Sequence, residues 1–208
     1  MTIPRKLYDE AYYKTNCEGW ELPPGQLSQR LKSYEGWVDK ELDKAGGHCQ
    51  TVIDLGFGRG EISIKLAQHP NVKKVLAIDY SMAAGHFLLS LIRDNDALAD
   101  KIDVLITDAA QFMRLLRDTE INHIVAFDVI EHLVPNDIVT IFRYAARIMP
   151  KGGKIFAITP VTQAPPNERH VWLARKPEDL RQFGVDFEFK HLGYTGSGED
   201  HKFEFTRL

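Results

Sequence analysis

The stretch Thr51-Val-Ile-Asp-Leu-Gly-Phe-Gly-Arg-Gly60 decides how the rest of the chain is read. Thr51 to Leu55 is a short apolar run that stops at a glycine, which reads as a buried strand. Gly56, Gly58 and Gly60 then make a turn, and a helix follows from Glu61. Glycine at such a turn lets the backbone bend sharply and leaves bare main chain for a ligand to touch. The first N–H groups of the helix have no partner within it and point back at the turn. A dinucleotide fingerprint would need glycine at 61, where this chain has Glu61. The pattern is instead Asp54-x-Gly56-x-Gly58-x-Gly60.

Outward from this stretch, strand-like and helix-like segments alternate. Strands are expected at Thr51–Leu55, Lys74–Asp79, Ile102–Thr107, Ile121–Val129 and Gly153–Thr159. Helices are expected at about Glu61–His69, Met82–Ile92, Ala110–Leu116 and Asn136–Met149. Such alternation predicts an α/β fold, a doubly wound parallel sheet with helices on both faces. Val185, Phe187 and Phe189 alternate with polar residues, and so do His201, Phe203 and Phe205. They predict an antiparallel C-terminal pair, seven strands in all. Residues 1–208 read as one domain: a helical cap over 1–47 and a core over 51–208. The helix of the cap runs from Gln26 to Lys44, with Leu27, Leu31, Tyr34, Val38 and Leu42 on one face.

Ligands of doubly wound sheets bind beyond the carboxyl ends of the strands. Four acids stand there: Asp54, Asp79, Asp108 and Asp128. Asp79 lies 19 residues past Gly60, where a carboxylate can accept from ribose hydroxyls. Asp108 can accept from an adenine amine while the neighbouring main-chain N–H of Ala109 serves a ring nitrogen. Each acid singly could be a helix cap.

The runs Val52 to Glu61, Ala77-Ile-Asp-Tyr-Ser81, Thr107-Asp-Ala109, Phe127-Asp-Val-Ile-Glu-His-Leu133 and Met149-Pro-Lys-Gly-Gly-Lys154 together resemble the class I S-adenosylmethionine-dependent methyltransferases. The closest likeness is to the bacterial small-molecule group with Asp-Val-x-Glu-His-Leu after the fourth strand. It covers Thr51 to Pro160. The resemblance implies a Rossmann-like sheet and S-adenosylmethionine as cofactor, with S-adenosylhomocysteine as product. It assigns Asp54, Gly56, Gly58, Gly60, Asp79, Tyr80, Met82, Asp108, Ala109 and Asp128 to the cofactor. Tyr80 and Met82 would face the adenine. Phe57 departs from the Cys or Thr usual in the family.

Methyl transfer displaces a neutral thioether, so the protein contributes alignment, plus a base where the acceptor is a hydroxyl. His132 and His170 are the candidate bases, for the switchable charge of imidazole near neutral pH. The proline-flanked loop Val161–Lys176 and the aromatic N-terminal segment would hold the acceptor through Arg169, Trp172, Tyr12, Tyr13 and Trp20. Trp172 could equally anchor its loop. No metal is expected at the site in this reading. The alternatives are a metal-dependent RNA 2′-O-methyltransferase, which Asp128-x-x-Glu131-His132 and Asp200 to Arg207 resemble, and a cofactor-binding module without catalysis.

Composition agrees with a small-molecule acceptor. The net charge is −3 with scattered basic residues, which argues against nucleic acid as partner. No apolar run is long enough to span a membrane. The two cysteines, Cys17 and Cys49, form neither a metal spacing nor a disulfide framework, which fits a reducing cytoplasm. A monomer or homodimer is expected.

Overall fold

The computed structural model describes residues 8–16, 21–23, 35–44, 50–116, 121–195 and 200–208. Seven strands form the sheet: β1 (Gln50–Leu55), β2 (Val72–Asp79), β3 (Ile102–Ile106), β4 (His123–Phe127), β5 (Lys154–Pro160), β6 (Phe187–Tyr194) and β7 (Asp200–Arg207). Their order is β3-β2-β1-β4-β5-β7-β6, the mostly parallel Rossmann-like sheet with an antiparallel C-terminal pair. The chain divides into two compact units, one of Arg5–Thr107 and one chiefly of Asp108–Leu208.

In the first unit β1, β2 and β3 run parallel, with Ile53 opposite Leu76 and Ala77 opposite Val104. Val52, Ile53, Val75 and Ala77 are wholly buried, as expected of strands covered on both faces. Among the described residues the helices of this unit are α1 (Glu10–Asn16), α2 (Glu35–Lys44), α3 (Glu61–Gln68), α4 (Met82–Ile92) and the single turn α5 (Asp96–Ala99). Ser81 starts α4 because its hydroxyl accepts from the Ala84 N–H, satisfying one orphan donor of the first turn. Val38 and Leu42 of α2 are buried on the predicted face. Leu27, Leu31 and Tyr34, together with Trp20, Cys17 and Cys49, lie outside the described residues.

In the second unit β4 and β5 are parallel, and β7 pairs antiparallel with both β5 and β6. Helix α6 (Ala109–Leu115) precedes β4, and α7 (Pro135–Ile148) follows it, entered through Pro135, whose missing N–H costs nothing there. Phe142 of α7 meets the rings of Phe187 and Phe205 edge-on. Most strand boundaries differ by one or two residues from the reading above, and two differences have a physical reason. The fourth strand ends at Phe127, not Val129, because Asp128 turns the chain with φ at 55°. Val185 is exposed and precedes β6 rather than facing the core.

Candidate active site

The glycine turn belongs to the first unit. Gly56, Gly58 and Gly60 have φ of 72°, 53° and 78°, the left-handed region that glycine enters freely. Gly60 has a second reason to be glycine: a Cβ there would lie 2.4 Å from Leu88 Cδ1, and Leu88 is wholly buried on α4. Close helix packing, rather than a ligand, forbids a side chain at that position. At Gly58 a Cβ would make only ordinary contacts, with Tyr13 Cε1 at 3.8 Å and the Gly56 carbonyl at 4.0 Å. The Gly58 N–H donates to Asp79 Oδ2 at 3.0 Å, and the Ser81 N–H donates to Asp79 Oδ1 at 2.9 Å. Asp79 therefore ties the end of β2 to the turn. Each carboxylate oxygen accepts more than one bond, so ribose hydroxyls can still be received.

Asp54 is buried, and its Oδ2 accepts from Ser63 Oγ at 2.5 Å. It braces the end of β1 against α3. Burial raises its pKa to about 7; the Ser63 hydroxyl opposes that shift and the charge of Asp79 adds to it. Tyr80 is half-buried with its ring 5.3 Å from that of Tyr8, and Met82 is exposed at the start of α4. Tyr12 is half-buried at 4.7 Å from Tyr8, while Tyr13 is buried beside Gly58.

In the second unit Asp108 is the cap of α6, its Oδ1 accepting from the Gln111 N–H at 2.8 Å, and Ala109 is the helix's first residue. Capping uses one oxygen and leaves the other for a ligand. The Asp128 N–H donates to the Ile158 carbonyl at 2.9 Å. The next residues form a single tight turn, Ile130–His132, instead of the start of α7. Glu131 is buried there and accepts from Thr159 Oγ1 at 2.8 Å. His132 Nδ1 lies 2.9 Å from the Arg169 carbonyl. A carbonyl only accepts, so Nδ1 carries a hydrogen, and in the neutral ring Nε2 is the acceptor.

His132 Nε2 stands 4.0 Å from Glu131 Oε1, and the His170 ring is 5.0 Å from the His132 ring. One ligand atom from each of Glu131, His132 and His170 fits within a mutual 4.8 Å. Ligand atoms around a tetrahedral divalent ion stand about 3.4 Å apart, so the set would have to contract to hold one. The loop Val161–Lys176 brings His170 there. Asn167 Oδ1 accepts from the N–H groups of Arg169 and His170, and Val161 bridges Ala174. The Trp172 N–H reaches the Glu131 carbonyl at 3.3 Å and its ring meets Phe183 edge-on at 5.1 Å, the anchoring role.

Sequence reasoning placed Glu131 beside His132 in a metal-type pattern, and it passed over the pairing of Arg59 with Glu61. Both are buried, with Arg59 Nε 2.9 Å from Glu61 Oε1. Asp200–Arg207, the run resembling an RNA-methylating motif that should precede a helix, is strand β7.

Residues 52–153 match the family model described as a methyltransferase domain. No curated protein matches the sequence. Among solved structures, magnesium protoporphyrin IX methyltransferase (ChlM) from Synechocystis PCC 6803, with bound S-adenosylmethionine, is similar at TM-score 0.66 and 16% identity; 98% of this chain and 95% of that one are covered. The T. thermophilus 16S rRNA N2 G1207 methyltransferase (RsmC) is similar at TM-score 0.59 and 19% identity, over 90% of this chain and 45% of that one. Small RNA methyltransferase HEN1 is similar at TM-score 0.66 and 16% identity, over 85% of this chain and 25% of that one. At such identities the likeness carries the fold and leaves the acceptor open.

Proposed function

We propose that this chain, which carries a class I S-adenosylmethionine-dependent methyltransferase domain, transfers the cofactor's methyl group to an oxygen or nitrogen of a small molecule, a sugar or secondary metabolite. In this reading Gly56, Gly58 and Gly60 carry the methionine half, Asp79 the ribose, and Asp108 with Ala109 the adenine. The cofactor supplies an electrophilic methyl on sulfur. The protein aligns the acceptor and accepts its proton. The observation that carries the reading is the His132 ring: held at Nδ1 by the Arg169 carbonyl, it offers Nε2 as the proton acceptor, with His170 beside it. The net charge of −3 favours a small acceptor over a polyphosphate backbone, and two cysteines without disulfide spacing support a cytoplasmic setting.

One observation favours a second reading. Glu131, His132 and His170 suit a divalent cation, which would make His132 a ligand instead of a base and would fit a ribose hydroxyl as acceptor. Methyl-tritiated S-adenosylmethionine, offered with a cell extract filtered free of macromolecules and separately with total small RNA, distinguishes the two. Label is expected in the small-molecule fraction, insensitive to EDTA, and lost in His132→Gln although that variant still binds S-adenosylhomocysteine. Label in RNA that EDTA abolishes would establish the metal-dependent reading instead.

A further inference from the structure

Arg59 stands between Gly58 and Gly60 and is only 5% exposed. Burying a guanidinium is costly unless its charge and donors are met. Glu61, also buried, meets the charge at 2.9 Å. One donor, Nη2, reaches 3.2 Å to the carbonyl of Leu22, 37 residues earlier in the chain. The guanidinium also lies 5.8 Å over the Phe87 ring, within cation–π range. The glycine turn thus grips the N-terminal part of its own unit through a side chain that the turn's backbone does not need.

A second grip lies at the other rim. Ser81 Oγ donates to the Tyr8 carbonyl at 2.6 Å, and the Tyr8 ring meets that of Tyr80. Ser81 is itself bonded to Asp79, which is bonded to Gly58. Between the grips α1 lays the buried Tyr13 ring against Gly58, on the side where that glycine has no side chain. The residues that shape the cofactor turn therefore also fasten Tyr8 and Leu22, which flank α1 in the chain.

We propose that Arg59 is a positioning residue that latches the Leu22 backbone to the cofactor turn and holds Tyr13 as an outer wall over Gly58, so that the demethylated cofactor leaves only when this latch opens. Closing a wall over a bound ligand slows its departure more than its arrival. Tyr12 and Tyr13 then serve the cofactor rather than the acceptor, and Arg59 never touches the reacting atoms.

The test uses the full chain and S-adenosylhomocysteine as probe. Arg59→Met with Glu61→Gln removes the latch without leaving a lone buried charge. Tyr13→Ala removes the wall and carries the test if the double variant fails to fold. In a folded variant, stopped-flow displacement should show the probe dissociating about tenfold faster or more. In the ligand-free double variant, amides of Glu10–Asn16 should exchange hydrogen faster than in the parent. Arg59→Lys, which keeps the charge and can still reach a carbonyl, should restore much of both. An unchanged dissociation rate in either folded variant overturns the proposal. So does faster dissociation with unchanged exchange over Glu10–Asn16, since the effect would then not pass through α1.

Discussion

Asp54 is a carboxyl kept from water at the carboxyl end of β1, and its protonation has consequences for the whole fold. In the unfolded chain it loses its proton near 3.8, and in the fold near 7, because burial disfavours the charge. Between those values the folded chain holds the extra proton, so stability is full below about 4 and falls as pH rises toward 7. The loss amounts to roughly 4 kcal/mol at most. Asp54→Asn keeps an acceptor for Ser63 and carries no charge. It is expected to be more stable than the parent at pH 8, with no such advantage at pH 4.5. Urea unfolding of both proteins at pH 4.5, 6 and 8 measures the difference, and parallel pH dependences would show that Asp54 is ionised in the fold. The place of Asp54 at the end of the first strand was legible from the apolar run that the glycine stops. Its protonation was not, because that depends on burial and on Ser63 one element later. Arg59 was less legible still: its partner is a main-chain carbonyl, which leaves no trace in residue type.

At the scale of elements, the strands were readable because strands buried on both faces are continuous apolar runs, and their ends were readable only where a glycine or an acid stops the run. Asp128 ends β4 by a left-handed turn that apolarity does not report, so the predicted strand ran on to Val129. Glu131 and His132 were visible together as a metal-type pattern, but that His170 is the histidine that joins them depends on the Asn167 turn and the Val161–Ala174 bridge, which fold the loop back. The β6–β7 pair holds a titratable contact of its own. His191 Nε2 lies 2.8 Å from His201 Nδ1, so one ring donates and the other accepts. Burial of His201 lowers its pKa, the charge of His191 lowers it further, and Asp200 opposes both. A lowered histidine pKa adds stability above the unfolded value of 6.5, and that stability is lost as pH falls through the folded value. His191→Gln keeps a hydrogen-bonding side chain and removes the charge. The His201 pKa is expected to rise in this variant without reaching 6.5, because burial remains. Proton NMR titration of the His201 ring reads the shift directly, and an unmoved titration would mean that His191 stays neutral throughout.

For the molecule as a whole, the glycine turn is one of the least independent parts of the fold. Asp79 joins β2 to the turn and to the start of α4, Asp54 joins β1 to α3, and Gly60 lets α4 pack through Leu88. A ligand seated on these groups binds the folded chain alone, and its binding energy adds to folding stability. S-adenosylhomocysteine at a hundred times its dissociation constant should contribute about 2.7 kcal/mol, a rise in Tm of about 5–10 °C for a chain of this length. Asp79→Ala removes the proposed ribose acceptor together with the bonds to Gly58 and Ser81. It should lower the ligand-free Tm, and it should also weaken the ligand by more than tenfold, cutting the ligand-induced rise by about 1.4 kcal/mol or more at the same concentration. The two effects separate in thermal melts with and without the ligand, checked by calorimetric titration at a temperature where both proteins are folded. If Asp79→Ala lowered the ligand-free Tm but kept the full ligand-induced rise, Asp79 would be a brace of the turn, and the ribose would have to be held by another group.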